Sequence, residues 1–328
     1  MKKTSLFYIM ILFAMKALAQ QDTQMSQHIF NGIFINPAYT GYKDDIYVQS
    51  YFRSQWVGVA GAPESFSIAA DGAIPDTHVG LGAMVTSDRI GAQSSLSGYV
   101  NYSYMIPVGY DETSHLSFGL AAGIEQLGID GTKLNAIQTG DSSIPTTSQS
   151  TTLPDANVGI FYSTSTNFVG LSATNLVARF IKNTNSSNML VPVPQPHIYL
   201  TAGTLLDLNE DTKIKPVFLI KDDFKGPTTL DLDASIIFSS GLSFGGFYRS
   251  SIKLYPKKNL QSDYPLQNAF GAIVEFFVTP SMRIGYSYDH DLNALGTYNY
   301  GSHELSIGFY LNNNSSRSNR PELRCYKF

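Results

Sequence analysis

Near the end of the chain, Asp289-His290-Asp291 places a histidine between two carboxylates. A histidine beside a carboxylate can activate water as a general base, and Asp289-x-Asp291-x-Asn293 resembles the start of a calcium loop. The calcium interpretation fails because Ala294 stands where the sharp turn requires Gly and no Glu follows at the right distance. A polar turn at the end of a strand is the favoured alternative, since short motifs often occur by chance.

No other motif in the sequence favours catalysis. There is no Gly-x-Ser-x-Gly nucleophile motif and no phosphate-binding loop, and the six histidines are scattered. The single cysteine, Cys325, cannot form an internal disulfide and leaves no cysteine spacing for a metal. We therefore predict no enzymatic activity, no cofactor and no metal, and assign no role to Cys325.

Charged residues recur at alternate positions within apolar segments. Asp231 and Asp233, for example, alternate with Leu230, Leu232 and Ala234. This period of two predicts strands that have one apolar and one polar face. The charged residues that share this placement are Arg53, Asp71, Asp231, Asp233, Arg249, Arg283, Asp289 and Glu304.

The N-terminus predicts export from the cytoplasm. Lys2 and Lys3 precede an apolar run that ends in a small-residue cleavage site at Ala17-Leu18-Ala19, which is typical of a signal peptide over residues 1–19. Charged residues make up 15% of the chain, below the roughly 25% of ordinary soluble domains, while aromatic residues make up 12%. The net charge of -4 gives no basic surface for nucleic acid. This composition leaves two fold classes, a secreted β-sandwich and an outer-membrane β-barrel.

The connection lengths favour the barrel. We predict about fourteen strands, joined alternately by short turns and by generally longer polar loops, which is the pattern of outer-membrane barrels. The predicted divisions are a signal peptide at 1–19, an N-terminal segment at 20–44, a transmembrane antiparallel β-barrel at 45–312 and a periplasmic tail at 313–328. Residues 142–152 are predicted to form a loop tip. The predicted strands start at Asp45, Pro63, Thr77, Ser94, Ser114, Asp155, Asn167, Gln195, Thr212, Thr228, Gly241, Gln267, Ser281 and Ser302.

The cost of burying charge assigns the two faces of these strands. A charge that faces lipid near the middle of the bilayer costs about 2–4 kcal/mol. We therefore predict that the eight alternating charges point into the lumen and pair there, since buried charges need partners. Such a lumen is filled or narrow.

The segment before the first strand is apolar but is broken by Pro and Gly. Burying one of its large side chains is worth roughly 1.5–3 kcal/mol, so we hypothesise that it folds into the barrel as a partial plug. An ordinary extension of the first strand is the alternative. The residues assigned to this plug are Phe30, Phe34, Asn36, Pro37, Tyr39 and Gly41.

Several motifs resemble the PorP/SprF family, outer-membrane proteins of the type IX secretion system of Bacteroidota. The first is Gln27-His28 followed by Asn-Pro-Ala-Tyr-Thr-Gly at 36–41, where Thr40 replaces the family's usual Ala. The others follow in family order and cover nearly the whole mature chain. They are Gln55-Trp56 with Gly61-Ala62-Pro63, residues 81–88 with Gly91, Pro154-Asp155-Ala156-Asn157 with Gly159, Gly285-Tyr286-Ser287-Tyr288-Asp289, and Gly301-Ser302-His303-Glu304.

This resemblance implies a non-enzymatic Gram-negative outer-membrane protein that supports the secretion or surface anchoring of large adhesins, including those used in gliding. The implied partners are an adhesin or its C-terminal domain, other secretion components and outer-membrane lipid, with no nucleic acid. The basic tail, with Arg317, Arg320, Arg324 and Lys327, could contact the secretion machinery, or could be a disordered terminus. A passive transporter of small solutes is the alternative function, and a hydrolase built on His290 is a remote third.

Overall fold

The computed structural model describes residues 24–43, 45–109, 114–134, 145–180, 194–258, 260 and 263–311. The predicted signal peptide and the C-terminal tail with Cys325 lie outside these ranges. None of the helices in the described ranges is long and apolar enough to cross a membrane.

One antiparallel sheet contains every strand of the described residues. The strands are β1 Tyr47–Ser54, β2 Glu64–Ala73, β3 Val79–Ile90, β4 Gln93–Pro107, β5 His115–Asp130, β6 Ser148–Ser163, β7 Asn167–Thr174, β8 His197–Thr204, β9 Leu206–Asn209, β10 Thr212–Asp222, β11 Thr228–Phe238, β12 Leu242–Ile252, β13 Gln267–Thr279, β14 Met282–Asp291 and β15 Ser302–Tyr310.

The sheet closes on itself. Apart from β8 and β9, each strand pairs with its neighbours in sequence, and β1 pairs with β15. β10 pairs with β11 on one side and with both β8 and β9 on the other. Strands β8 and β9 are two parts of one wall strand, interrupted at the buried Leu205. The result is a closed fourteen-stranded antiparallel barrel, which confirms the predicted fold class.

The alternation of side chains separates an apolar outside from a polar inside. In β2, for example, Phe66 and Ile68 are exposed on the outer face, whereas Ser67 and Asp71 are buried on the inner face. An apolar outer face that alternates with a polar inner face is the pattern of outer-membrane barrel strands.

Two local predictions differ from the structure. β6 starts at Ser148, not at Asp155, so residues 148–152 belong to a strand and not to a loop tip. The reason is the length of β5. Its C-terminal residues 125–130 pair with residues 148–153, so β6 begins before the part of its sequence that alternates clearly. The even spacing of Trp56 from Val48 and Phe52 predicts that it lies on the apolar face of the first strand. Instead β1 ends at Ser54, and Trp56, with a φ of 48°, lies outside the strand.

Candidate functional site

Residues 24–43 lie inside the barrel. We call the end of the barrel with long loops the loop side and the opposite end the turn side. Ser26 contacts Arg53 and Asp289 near the loop-side ends of β1 and β14, and Gly41 contacts Asp71 near the turn-side end of β2. The luminal segment, as we name residues 24–43, therefore runs from the loop side to the turn side and then enters β1.

A network of buried charges holds the first part of the luminal segment, residues 24–31. The Glu304 carboxylate accepts hydrogen bonds from the backbone N–H groups of Ser26 and Gln27, both at 2.9 Å. Arg53 donates to Glu304 at 3.2 Å and also pairs with Asp289. Peptide N–H groups and a guanidinium thus share one carboxylate, which satisfies charges that would be costly if left alone.

A neighbouring part of this network lies on β11 and β12. Arg249 donates to Asp231 at 2.8 Å and approaches Asp289 at 3.6 Å, which links it to Arg53. Asp233 lies 3.5 Å from the imidazole of His28 in the luminal segment. The charges therefore contact the segment from several strands.

Toward the turn side, Arg and Lys side chains donate to oxygen atoms of the same segment. Arg283 pairs with Glu275 at 2.7 Å and donates to the side chain of Asn31 at 3.0 Å. Lys215 donates to the carbonyl of Ile29 at 3.2 Å, and Lys43 donates to that of Phe30 at 3.3 Å. Each of these carbonyls accepts a hydrogen bond from a lysine side chain, so neither is left unsatisfied inside the lumen.

The charge prediction was incomplete. The structure places all eight predicted charges inside the barrel, and it adds further buried charges, among them Lys215 and Glu275 on strands and Lys43 on the luminal segment. The cost of placing charge against lipid applies equally to Lys215 and Glu275, so the same argument would have found these two from the sequence.

The second part of the luminal segment, residues 36–41, is held without ion pairs between side chains. Asn36 caps the short helix Pro37–Tyr39 by accepting from the N–H of Ala38 at 2.9 Å, and its amide donates to the carbonyl of Ile160 at 3.1 Å. Thr40 is fixed by its carbonyl, which accepts from Ser103 at 2.6 Å. The N–H of Gly41 donates to Asp71 at 2.8 Å.

Strand glycines allow this close approach. A Cβ added to Gly119 would lie 2.0 Å from the backbone N of Ala38, and one added to Gly159 would lie 2.0 Å from the side chain of Asn36. One added to Gly80 would lie 2.3 Å from the carbonyl of Thr40. These strand positions therefore accept only glycine beside the luminal segment.

The aromatic residues of the luminal segment pack inside the barrel. Tyr39 contacts the ring of Phe161 with centroids 5.4 Å apart, and Phe34 meets Tyr51 edge-on at 5.1 Å. Phe30 is buried and lies under the guanidinium of Arg283. An apolar core therefore surrounds the segment inside the lumen, although the wall facing it is largely polar.

The Asp289-His290-Asp291 motif does not assemble a catalytic pair. Asp289 points into the lumen and pairs with Arg53, whereas His290 lies on the opposite face of β14 and packs against Phe270. Within the described ranges, no group of three or more His, Cys, Asp or Glu side chains is placed to hold a metal ion.

Above the luminal segment, the loop side opens into a vestibule of two cavities. The larger has a volume of about 460 Å³ and the smaller about 410 Å³. Met25, Ile35, Trp56, His197 and Tyr199 line both cavities. The vestibule therefore has its floor formed by the luminal segment and its walls formed by the loop-side ends of the strands.

A closed barrel with an apolar outer face and a charged, filled lumen defines an integral outer-membrane protein of the β-barrel class. The chain belongs to the PorP/SprF family. The model of this family, described as type IX secretion system membrane protein PorP/SprF, matches residues 17–309. The protein is thus a membrane component of the type IX secretion system in the outer membrane of a Gram-negative bacterium.

Solved barrels are similar to this chain at low sequence identity. Omp33 of Acinetobacter baumannii is 9% identical with a TM-score of 0.45, and the match covers 81% of this chain and 98% of Omp33. A FadL homologue of Pseudomonas aeruginosa is 10% identical with a TM-score of 0.45, covering 87% of this chain and 94% of that one. No curated protein sequence matches this chain.

Proposed function

We propose that this protein catalyses no reaction and instead binds a secreted adhesin, through the adhesin's C-terminal domain, at the loop-side vestibule. In this role it supports secretion or surface anchoring of the adhesin, including adhesins used in gliding, together with other type IX secretion components. The apolar outer face is the surface that contacts outer-membrane lipid.

The observation that carries the proposal is the occupied lumen. The luminal segment contacts β15 through Glu304, β10 through Lys215 and β6 through Ile160, so it reaches walls on different sides of the barrel. A solute would have to displace buried charges and their hydrogen bonds in order to pass. This disfavours the passive transporter and leaves the vestibule as the accessible concave surface for a partner.

The proposal is tested by affinity purification of the tagged full chain from outer membranes, followed by mass spectrometry. We expect one dominant large adhesin together with other secretion components. The variant Trp56→Ala, which removes a side chain that lines both cavities, should recover less adhesin than the wild type.

The matched control is Lys213→Ala, which replaces a partly exposed side chain on the turn side. This variant should recover as much adhesin as the wild type does. Purification of the folded protein without any protein partner, combined with solute flux through it in liposomes, would contradict the proposal and support the transporter.

A further inference from the structure

The pairing of the first strand with the last one, which we call the seam, closes the barrel. β1 and β15 are antiparallel there, from Tyr47 opposite Tyr310 to Ser54 opposite His303. In a hairpin the turn fixes the register of the two strands, whereas β2 to β14 separate β1 from β15 along the chain. The register of the seam therefore has to be set by contacts other than a turn.

The alternation of side chains excludes some registers of the seam but not others. A slip by one residue would turn buried charges toward lipid, whereas a slip by two residues keeps every side chain on its own face. A slip by two residues would nevertheless separate Arg53 from Glu304, which lies directly opposite it and accepts from it at 3.2 Å. Registers that differ by two residues are thus distinguished by particular contacts inside the lumen.

At the loop-side end of the seam, the luminal segment binds both strands. The hydroxyl of Ser26, whose N–H donates to Glu304, also accepts from Arg53 of β1 at 3.0 Å. The side chain of Gln27 donates to the backbone carbonyl of Glu304 at 3.0 Å and accepts from Ser306 at 2.6 Å. One glutamine side chain therefore contacts two inward-facing residues of β15, which ties that strand to one position along the segment.

At the turn-side end of the seam, the luminal segment again contacts both strands. The ammonium of Lys43 lies 3.5 Å from the ring centroid of Tyr47 in β1 and 5.9 Å from that of Tyr310 in β15. The two rings lie opposite each other with centroids 4.6 Å apart. A cation over aromatic rings is an attractive contact, so Lys43 favours the register in which both rings lie beside it.

The luminal segment has a position of its own that does not depend on β15. Its second part is bound by Asp71 of β2, Ser103 of β4 and the carbonyl of Ile160 in β6. These three strands belong to the first half of the chain, and the turns and loops of that half connect them to β1. The segment is therefore a fixed reference against which the last strand can be placed.

We propose that the luminal segment is an internal template that sets the register in which β15 closes the barrel on β1. Gln27 fixes the loop-side end of β15 through Glu304 and Ser306, and Lys43 fixes the turn-side end through Tyr310. This role concerns the assembly of the barrel, so it does not depend on the proposed function.

The test measures the register of the seam by disulfide cross-linking in the full chain, refolded in detergent with Cys325→Ser. Phe52→Cys with Leu305→Cys reports the native register, because these residues are opposite each other on the outer face. Phe52→Cys with Ile307→Cys reports a slip by two residues. We expect Gln27→Ala to raise the ratio of slipped to native cross-link about tenfold, since it removes two hydrogen bonds to β15.

The matched control is Asn36→Ala, which also removes two hydrogen bonds of the luminal segment, neither of them to β15. Its ratio of slipped to native cross-link should equal that of the wild type. Ile68→Cys with Val85→Cys, a pair on the turn-joined β2 and β3, should cross-link equally in every variant. An unchanged ratio in Gln27→Ala, or an equal rise in Asn36→Ala, would overturn the proposal.

The order of events during refolding gives a second test, which decides the question even if Gln27→Ala does not fold. In the chain with Phe52→Cys and Leu305→Cys, trypsin cleavage after Lys43 reports whether the luminal segment is still accessible. We expect this cleavage to be blocked no later than the seam cross-link forms. A seam that is completely cross-linked while Lys43 is still cleaved would overturn the proposal, because a template has to be in place before the strand it positions.

Discussion

The two parts of the luminal segment are held by different chemistry. Residues 24–31 are bound mainly by charged side chains of β1, β10, β11, β12, β14 and β15, such as Arg53 and Glu304. Residues 36–41 rest against a wall of glycines and hydroxyls on β3–β7, such as Gly119 and Ser103. One barrel therefore uses electrostatic complementarity on one side and close backbone packing on the other.

This difference determines how each part fails. The charged part is destabilised when one side chain of an ion pair is removed, because the remaining partner is left as a buried, unpaired charge. The glycine part is destabilised when a Cβ is added to one of the strand glycines, because that Cβ would overlap the backbone of the segment. Substitutions can therefore be chosen that disturb one part and leave the other intact.

The largest effect is expected for Arg53→Met. Arg53 is 1% exposed and pairs with both Asp289 and Glu304, so its removal leaves two buried carboxylates without their shared cation. Breaking a buried pair in this way costs about 3–5 kcal/mol. The measurement is the free energy of unfolding by denaturant in detergent, followed by Trp56 fluorescence.

Its control is Lys213→Ala, which breaks the more exposed pair between Lys213 and Asp207. Exposed pairs contribute about 0–1 kcal/mol, so this variant should unfold almost as the wild type does. Similar losses of stability in the two variants would show that burial does not set the strength of the charged part.

A smaller effect is expected for Gly119→Ala. The added Cβ would lie 2.0 Å from the backbone N of Ala38, so either the wall or the segment has to move. Overpacking of this kind costs about 1–3 kcal/mol, and we expect residues 36–41 to leave the wall. Single-channel conductance and protease cleavage within the luminal segment should both increase.

Gly98→Ala is the matched control for this substitution. Gly98 also lies within a strand, but a Cβ there meets nothing closer than 4.0 Å. Its conductance and protease resistance should equal those of the wild type. An unchanged segment in Gly119→Ala would show that close packing against glycine does not retain residues 36–41.

The sequence predicts the wall of the barrel well because one physical rule governs each strand. Charge is excluded from lipid, so alternation alone predicts that Asp231 and Asp233 face inward. The rule says nothing about which charges meet. Arg53 and Glu304 lie at opposite ends of the chain, and only the pairing of β1 with β15 brings them together.

The course of the luminal segment was harder to predict. Its apolar residues indicate burial, but they do not tell in which direction the chain runs through the barrel. The residues that set this direction, Ser26 and Gln27, contact Glu304 through their backbone N–H groups. A backbone N–H group can be supplied by almost any residue type, so these contacts cannot be predicted from the sequence. The sequence shows only the strand glycines that allow close approach on the opposite wall.

The smallest effect is expected for Asn36→Ala, which tests whether the glycine part depends on its cap. Asn36 accepts from the N–H of Ala38 and donates to the carbonyl of Ile160, and loss of a helix cap costs about 0.5–2 kcal/mol. Asn293 makes the same cap on a loop-side helix, where its side chain accepts from the N–H of Leu295 at 2.9 Å. Asn293 lines the smaller cavity, which residues 36–41 do not line. Asn293→Ala therefore removes a cap away from the glycine part, so it should lower stability less and leave the conductance unchanged. If the two variants raise conductance equally, the cap at Asn36 does not retain the segment, and the glycine wall alone must hold residues 36–41.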